Sequence, residues 1–518
     1  MPGRIETTGK LPLHHDADAL IAILALAKFA IQFAAAGRYG IFADELYDLA
    51  CARHLDWGYV DQPPLIALIA WAVTHTLGAS LYALRFLPAV AGALLVVVTA
   101  RIARELGGGR FAQGLAGFAV IPVPIYLMVD HWLTMNAFEP LIWTLVAYLA
   151  LRMVRRQDPR MWLAIGLLCG IGIENKYSML LPILALPPAL LATPHRRLLA
   201  SVWCAAGVAV GFLVFLPNLL WLVRHDFPFL EFEHNARLNG AQLKRPPLDF
   251  IADQMLIMNP VLSALWIGGL AWLLAAKPAR EARFLGWFFL AIALPLLILR
   301  AKNYYLVPAY PLLFAAGAVG FEALTRQNWR WARGVYAGAV LAAGIVLAPL
   351  VLPILPIEDF LAYQSALGGF RPVVYERSRP GLLPLQFEAE LGWEEMVQAT
   401  AKVYAALPPA EQANTAIFGN DYSEAGAIDY FGPKYGLPTA ISHHVSYWLW
   451  GPQHYDGKTV IVLGSDGTGD REHFGSVEIA GRVENPFSRP DENFDIYLCR
   501  DLTGGLHALW PRIKKWVS

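Results

Sequence analysis

Five acids crowd one short stretch, RYGIFADELYDLACARHLDWGYVDQPPL: Asp44, Glu45, Asp48, Asp56 and Asp61. They alternate with Tyr39, Phe42, Tyr47, Trp57 and Tyr59, and the stretch ends on a Pro-Pro break between apolar runs. An Asp held partly out of water at an apolar boundary keeps a pKa suited to a general base; the plain alternative is a solvated acidic loop. Asp61 is also a candidate oxygen ligand for a divalent metal ion, with His225 or His234 as imidazole donors. Capping of a helix that opens at Pro63-Pro64 accounts for Asp61 equally well. Further on, Asp130 and Glu139 sit within apolar sequence, where an ionisable side chain is costly and marks a functional candidate. Lys176, Arg224, His225 and Lys302 lie at the ends of apolar runs, with Tyr304 and Tyr305 beside the last. Cations there serve to hold an anion, or else snorkel to the interface, and the two tyrosines also fit an interfacial belt.

The composition states what must position these groups. Of 518 residues, 56% are apolar and only 16% charged, with a mean hydropathy of +0.43; soluble domains carry roughly 25% charge. The 41 basic and 41 acidic residues cancel, so no net field recruits nucleic acid. Soluble globule, disordered chain and nucleic-acid binder are all excluded, which leaves a membrane protein. Eleven spans are expected: Leu20–Ala36, Leu84–Ala103, Phe111–Val129, Phe138–Val154, Met161–Ile173, Ser178–Ala192, Leu198–Leu222, Met255–Ala276, Phe284–Leu299, Tyr304–Leu324 and Trp331–Leu355. The fifth, sixth and ninth fall short of the roughly 20 residues a span needs. Pro63–Leu77 reads as an interfacial or re-entrant helix. With it left out, arginines at 101, 104, 110, 152, 155, 156, 160, 196, 197, 280, 283, 326, 330 and 333 all fall on one side, which the positive-inside rule makes cytoplasmic. Residues 1–19 are then a cytoplasmic segment, 20–355 the membrane domain, and 356–518 an extracytoplasmic domain. The first apolar run has no cleavage site after it and reads as a retained anchor.

Beyond residue 355 the apolar runs shrink to strand length: Thr415–Phe418, Thr459–Leu463, Val477–Ile479 and Asp495–Leu498. Helical stretches at Trp393–Ala406 and Ser423–Phe431 alternate with them, as in a small α/β domain. The strand–turn–helix Phe418–Ile428 has a geometry suited to an anion, but no Walker or dinucleotide fingerprint, so no nucleotide cofactor is expected. His443, His444, Tyr447, Trp448, Trp450 and His454 form an aromatic, His-rich stretch that either shapes an acceptor site or packs a domain interface. Cys51, Cys169, Cys204 and Cys499 have no paired spacing, so neither a zinc site nor a disulfide framework is indicated.

The pair Asp44-Glu45 after the first span, then Tyr59-Val-Asp-Gln-Pro-Pro-Leu65, Glu174-Asn-Lys-Tyr-Ser178, Leu216-Pro-Asn-Leu-Leu-Trp221 with His225, and Lys302-Asn-Tyr-Tyr-Leu-Val-Pro308 form an ordered set. In that order they resemble the GT-C glycosyltransferases, in the branch of the protein O-mannosyltransferases and the lipid A aminoarabinose and galacturonic acid transferases, over about residues 20–355. The resemblance implies an inverting transfer of one sugar from a polyprenyl phosphate to a hydroxyl outside the membrane. It implies Asp44 as general base, Glu45 as the acid that positions the loop, and Lys302 or Lys176 on the donor phosphate, with Arg224 and His225 as weaker choices. A phosphate leaving group needs no general acid but does need cations for its growing charge. Two departures stand out. The run Asp61-Gln-Pro-Pro64 has Gln62 where the aminoarabinose branch has a phosphate-binding lysine. Asn136 stands where relatives place an Asp, leaving Asp130 or Glu139 to take over.

The implied partners are a polyprenyl-phosphate sugar, an envelope acceptor and the bilayer of a bacterial inner membrane. The competing class is a polytopic transporter or flippase of a lipid-linked sugar. Transporters commonly pair two matching halves around ionisable groups at mid-membrane, whereas the charges here gather at helix ends.

Overall fold

A computed structural model describes residues 17–239, 246–371, 379 and 381–517. The polar segment before residue 17, and Lys244 and Arg245 of a predicted outer loop, lie outside the described residues. Among the described residues, seven helices are long and apolar enough to cross a membrane: Asp18–Ala35, Leu81–Glu105, Met135–Arg156, Val202–Arg224, Lys277–Ile298, Asn303–Leu324 and Arg330–Leu350. A bent pair, Pro247–Ile257 and Pro260–Ala275, is a broken span or a re-entrant loop, and brings the count to eight if taken as one span.

The other expected spans are shorter or interrupted helices, because local chemistry breaks the run. Phe111–Val129 breaks at Pro122 into Arg110–Val120 and Pro124–Val129, since proline cannot donate into the preceding turn. The expected Met255–Ala276 instead turns by 109° at Met258-Asn259; Asn259 takes a positive φ of 69° and Pro260 starts the next turn. The short fifth and sixth runs are the helices Trp162–Asn175 and Leu180–Leu191. Pro63–Leu77 is a twelve-residue helix, Leu65–Thr76, too short to span.

Lipid offers no hydrophobic drive between helices, so close approach depends on small residues. Gly166 and Gly170 on Trp162–Asn175 lie one turn apart, as do Gly207 and Gly211 on Val202–Arg224. A Cβ on Gly166 would overlap the Gly207 carbonyl, and one on Gly207 the Trp162 carbonyl. Gly269 and Gly317 join Ser263–Ala275 to Tyr310–Leu324 in the same way. The helices Met135–Arg156 and Asn303–Leu324 form the interior of the bundle, with 67% and 83% of their apolar stretches buried.

The C-terminal part is an α/β unit with a five-stranded sheet: β1 (Thr415–Gly419), β2 (Ile441–Ser442), β3 (Thr459–Leu463), β4 (Phe474–Arg482) and β5 (Asp495–Leu502), in the order β2-β1-β3-β5-β4. β2, β1 and β3 are parallel; β5 runs antiparallel to β3 and β4. All five residues of β3, Thr-Val-Ile-Val-Leu, are buried, as expected of a strand covered on both faces. The fold class is therefore a helical polytopic membrane domain followed by an α/β domain. The two parts meet where Tyr422–Phe431 lies on Ala43–Arg53, close enough that a Cβ on Gly426 would stand 3.0 Å from Leu46.

Candidate active site

The acidic loop folds as the helix Ala43–Arg53, entered from extended Phe42. Glu45 reaches back to the Phe42 amide (2.9 Å), while Asp44 and Glu45 both face the positive end of the helix dipole. Their fates then diverge. Glu45 is fully enclosed, accepting from Arg85 Nη2 (3.0 Å) and the Leu133 amide (2.9 Å). Arg85 also donates to the carbonyls of Ala36 (3.0 Å) and Gly40 (2.6 Å), meets His131 Nε2 at 2.8 Å and lies 3.5 Å from Glu390. This hub ties the loop to the segment that leads into the C-terminal domain, whose Glu390 also accepts from Trp132 Nε1 (2.9 Å). Glu45 holds the loop through these protein partners.

Asp44 stays half-buried. It accepts a hydrogen bond from the hydroxyl of Tyr422 (2.9 Å), the first residue of a helix in the C-terminal domain. The Tyr422 ring stacks on His444 (5.1 Å, 18°) and leans on Tyr47 (4.9 Å). Tyr47 in turn donates to Asp61 (2.7 Å). Asp48 is buried and accepts from Gln62 (2.7 Å). Burial pushes the Asp48 carboxyl well above its usual value, against the pull of the Gln62 amide. Burial also raises Asp61, opposed by Tyr47's hydrogen bond. Asp44 and Asp61 both join partial exposure to a fixed orientation, and Asp44 is the one in the acid pair that follows the first span.

A second cluster forms where three elements converge. Lys176 follows the helix Trp162–Asn175 in extended conformation, and its ammonium reaches the first turn of Met135–Arg156: Asn136 Oδ1 at 2.6 Å and Glu139 Oε2 at 3.2 Å. Ser178 donates to the other Glu139 oxygen. The same ammonium lies over the rings of Tyr304 (5.2 Å) and Tyr305 (5.4 Å), and Lys302 lies 5.8 Å from the Tyr304 ring. Six of the residues read from the sequence, Lys176, Asn136, Glu139, Tyr304, Tyr305 and Lys302, are therefore neighbours. The Lys176 cluster connects to the acidic loop through Tyr177, next to Lys176, which donates to Asn218 Oδ1 (3.1 Å), whose amide donates to the Trp57 carbonyl (2.7 Å).

The other candidates fall elsewhere. Asp130 is buried against Lys28 (2.8 Å) between helices, so of the two acids proposed to compensate for Asn136, Glu139 is the one beside it. His225 stacks on Trp221 (4.1 Å) and Arg224 is exposed. Trp221 donates to Asp56 (2.8 Å) and Asn218 to the Trp57 carbonyl (2.7 Å), so this helix end braces the acidic loop. Among the described residues, no group of three or more His, Cys, Asp or Glu could hold a metal ion. The amides at the start of Tyr422–Phe431 are taken by Asp421 and by His444 Nδ1, which fills the expected anion seat. The His-rich stretch packs a junction: Trp450 stacks on His54 (4.2 Å), Tyr447 donates to Asp429, and His444 meets the Val517 carbonyl. All four cysteines are free.

Arg85, Lys28, Tyr422 and Glu390 were not found by sequence reasoning. Arg85 and Lys28 carried a signal, since each is a charge inside an apolar run. The others are brought in by chain far away in sequence.

Residues 61–221 match the family model described as dolichyl-phosphate-mannose-protein mannosyltransferase. Two proteins of Rhizobium johnstonii are similar. The lipid A galacturonosyltransferase RgtD is 26% identical over 49% of this chain and 54% of its own length. The lipopolysaccharide core galacturonosyltransferase RgtA is 27% identical over 35% and 36%. The chain thus matches about half the length of the first and about a third of the second. Among solved structures, ArnT from Cupriavidus metallidurans bound to undecaprenyl phosphate superposes with a TM-score of 0.63 at 14% identity, over 93% of this chain and 98% of that one. The Archaeoglobus fulgidus oligosaccharyltransferase AglB, in complex with an inhibitory peptide and a dolichol-phosphate, gives 0.51 at 12% over 82% and 64%. The chain is a polytopic membrane protein with the GT-C fold. Within that class, residues 61–221 are similar to the protein mannosyltransferase family model, and nearly the whole chain shares the fold of ArnT.

Proposed function

We propose that this protein is an inverting glycosyltransferase that moves one sugar from a polyprenyl phosphate to a hydroxyl of an envelope acceptor. The observation that carries the reading is the pairing of a half-buried, oriented Asp44 with the Lys176 cluster, at one end of the bundle. Asp44 takes the proton as the acceptor oxygen bonds to the anomeric carbon. On the opposite face, the bond from that carbon to the phosphate oxygen breaks, and the polyprenyl phosphate leaves with an added negative charge. Lys176 and Lys302, both at the Tyr304 ring, receive that charge, and Glu139 with Asn136 holds the Lys176 ammonium in place. Gln62, bound to Asp48, takes no part in holding phosphate.

The two galacturonosyltransferase relatives favour a hexuronic acid donor, and lipid A or a lipopolysaccharide sugar as acceptor. Two lysines at the donor site suit a sugar that carries its own carboxylate beside the phosphate. The reading places the site and the C-terminal domain on the outer side of a bacterial inner membrane, in accord with the arginine distribution. The test is reconstitution of the purified protein with a panel of polyprenyl-phosphate sugars, hexuronic acid, aminoarabinose and neutral hexose, and with lipid A or core acceptors. Transfer lost in Asp44→Asn supports the reading. Movement of the lipid-linked sugar across vesicles without transfer to any acceptor replaces it with a transporter.

A further inference from the structure

The opposite end of the bundle holds a cavity of about 640 Å³. It lies where Met135–Arg156 and Asn303–Leu324 finish, far from the ends of the same helices that carry Asn136 and Tyr304. Arg155, Arg326, Arg330 and Arg333 line it, with Trp272 among its apolar walls.

The acids in the wall are largely committed. The Glu322 carboxylate accepts from the amides of Gly109 (2.6 Å) and Ala112 (3.3 Å), capping the helix Arg110–Val120. Glu105 pairs with Arg152 (3.6 Å), outside the lining, and Glu281 is exposed at the edge. The four arginines make no ion pair with any described residue. Arg333 is nevertheless fixed: it donates to Thr325 Oγ1 (2.8 Å) and to the Glu322 carbonyl (2.9 Å), with its guanidinium 4.6 Å over the Phe111 ring. A guanidinium held by neutral oxygens keeps its charge for another partner, and its fork matches a phosphate.

The rim indicates where that phosphate comes from. Leu324, Trp329 and Trp331 are 82%, 63% and 67% exposed, and tryptophans so placed mark the headgroup level of a bilayer. We infer that this cavity is a binding site for the phosphate headgroup of an anionic phospholipid, taken from the leaflet opposite the Asp44 site. It is separate from the donor site, and the inference stands whether or not the protein transfers a sugar. Basic pockets between spanning helices are a recurrent means of holding such headgroups.

The full-length protein in phosphatidylcholine micelles, titrated with phosphatidylglycerol and followed by native mass spectrometry, tests this. Wild type is expected to retain phosphatidylglycerol in preference to phosphatidylcholine. The double variant Arg155→Gln/Arg330→Gln is expected to lose affinity for it roughly 25-fold, about fivefold for each arginine removed, and Arg155→Lys/Arg330→Lys to recover most of it. Equal retention by wild type and the Gln variant overturns the proposal. So does absence of any lipid preference in wild type, a measurement that holds even if the variants fail to fold. Displacement of the lipid by millimolar inorganic phosphate overturns the lipid as the source and assigns the pocket to a soluble phosphate.

Discussion

Replacing Lys176 by Gln removes one positive charge while leaving a side chain able to hydrogen-bond Asn136. On the proposed reaction, the donor's bridging phosphate carries one negative charge and gains a second as it leaves. A phosphate oxygen about 4 Å from the ammonium interacts by about 4 kcal/mol per unit charge, at an effective dielectric of about 20. If half of the new charge has developed in the transition state, Lys176 contributes about 2 kcal/mol there beyond its ground-state attraction. That is about 30-fold in rate. The Glu139 carboxylate at 3.2 Å is present in both states and cancels from the difference. Lys176→Gln is therefore expected to lower kcat about 30-fold and also to raise KM, because the ground-state attraction goes too. Lys176→Arg, which keeps the charge, should lose much less. The assay is transfer of radiolabelled sugar from a polyprenyl phosphate to lipid A in detergent, with initial rates over a range of donor concentrations. A Lys176→Gln enzyme whose KM rises while kcat stays within about threefold of wild type refutes the leaving-group role, since such a lysine only binds donor.

Asp44→Asn is expected to lower kcat by about 10²- to 10⁴-fold, the range for loss of a general base, with a thermal midpoint within a few degrees of wild type. Gly207→Leu drives a side chain into the Trp162 carbonyl and should reduce the yield of folded, monodisperse protein in size-exclusion chromatography, whereas Gly268→Leu, with open space at its Cβ, should not. Burial raises the Glu390 carboxyl to about 7, opposed chiefly by Arg85. Because the folded value lies above the unfolded one, its cost is absent below about pH 4.5, sets in as pH rises, and is complete above about pH 7, reaching about 3 kcal/mol. The stability of Glu390→Gln relative to wild type should therefore improve from pH 5 to pH 8 in fluorescence-detected melting; a difference that is flat or of opposite slope overturns that account.

How much of this was legible in the chain follows from the range over which each feature is decided. Apolar runs and strand-length segments are local, so the membrane section and the helices and strands near Trp393, Thr415 and Thr459 could be placed to within a few residues. Span count was less legible, because hydropathy averages across a proline. Pro122 and Pro260 break runs that read as continuous, and the 109° bend at Asn259 leaves no trace in composition. The GxxxG pairs at Gly166–Gly170 and Gly207–Gly211 were legible in principle, as spaced small residues on two spans. Within the site, the ordered motifs led to Lys176, Glu139, Asn136 and Tyr304. Proximity of Lys176 to Tyr304 is a tertiary fact spanning well over a hundred residues of chain. Asp130 and Glu139 looked alike in sequence; only packing assigns one to Lys28 and the other to Lys176.

The contact between Tyr422 and Asp44 carries the argument furthest, because it makes the C-terminal domain a participant in the membrane site. A carboxylate on a helix inside a loop has several accessible rotamers, and the 2.9 Å hydrogen bond from a fixed donor helps to select among them. The donor is itself fixed. Tyr422 is the first residue of its helix, its ring rests on His444, and its amide is bound to His444 Nδ1. His444 is anchored through Nε2 to the carbonyl of Val517. The orientation of Asp44 therefore depends on the C-terminal segment by way of two side chains, while the Arg85 hub sets the height of the loop from the other side. Tyr422→Phe should leave the Arg85 hub intact and so preserve the melting temperature. It removes one of the contacts that orient Asp44, which an enzyme relying on an oriented base must register in kcat more than in KM.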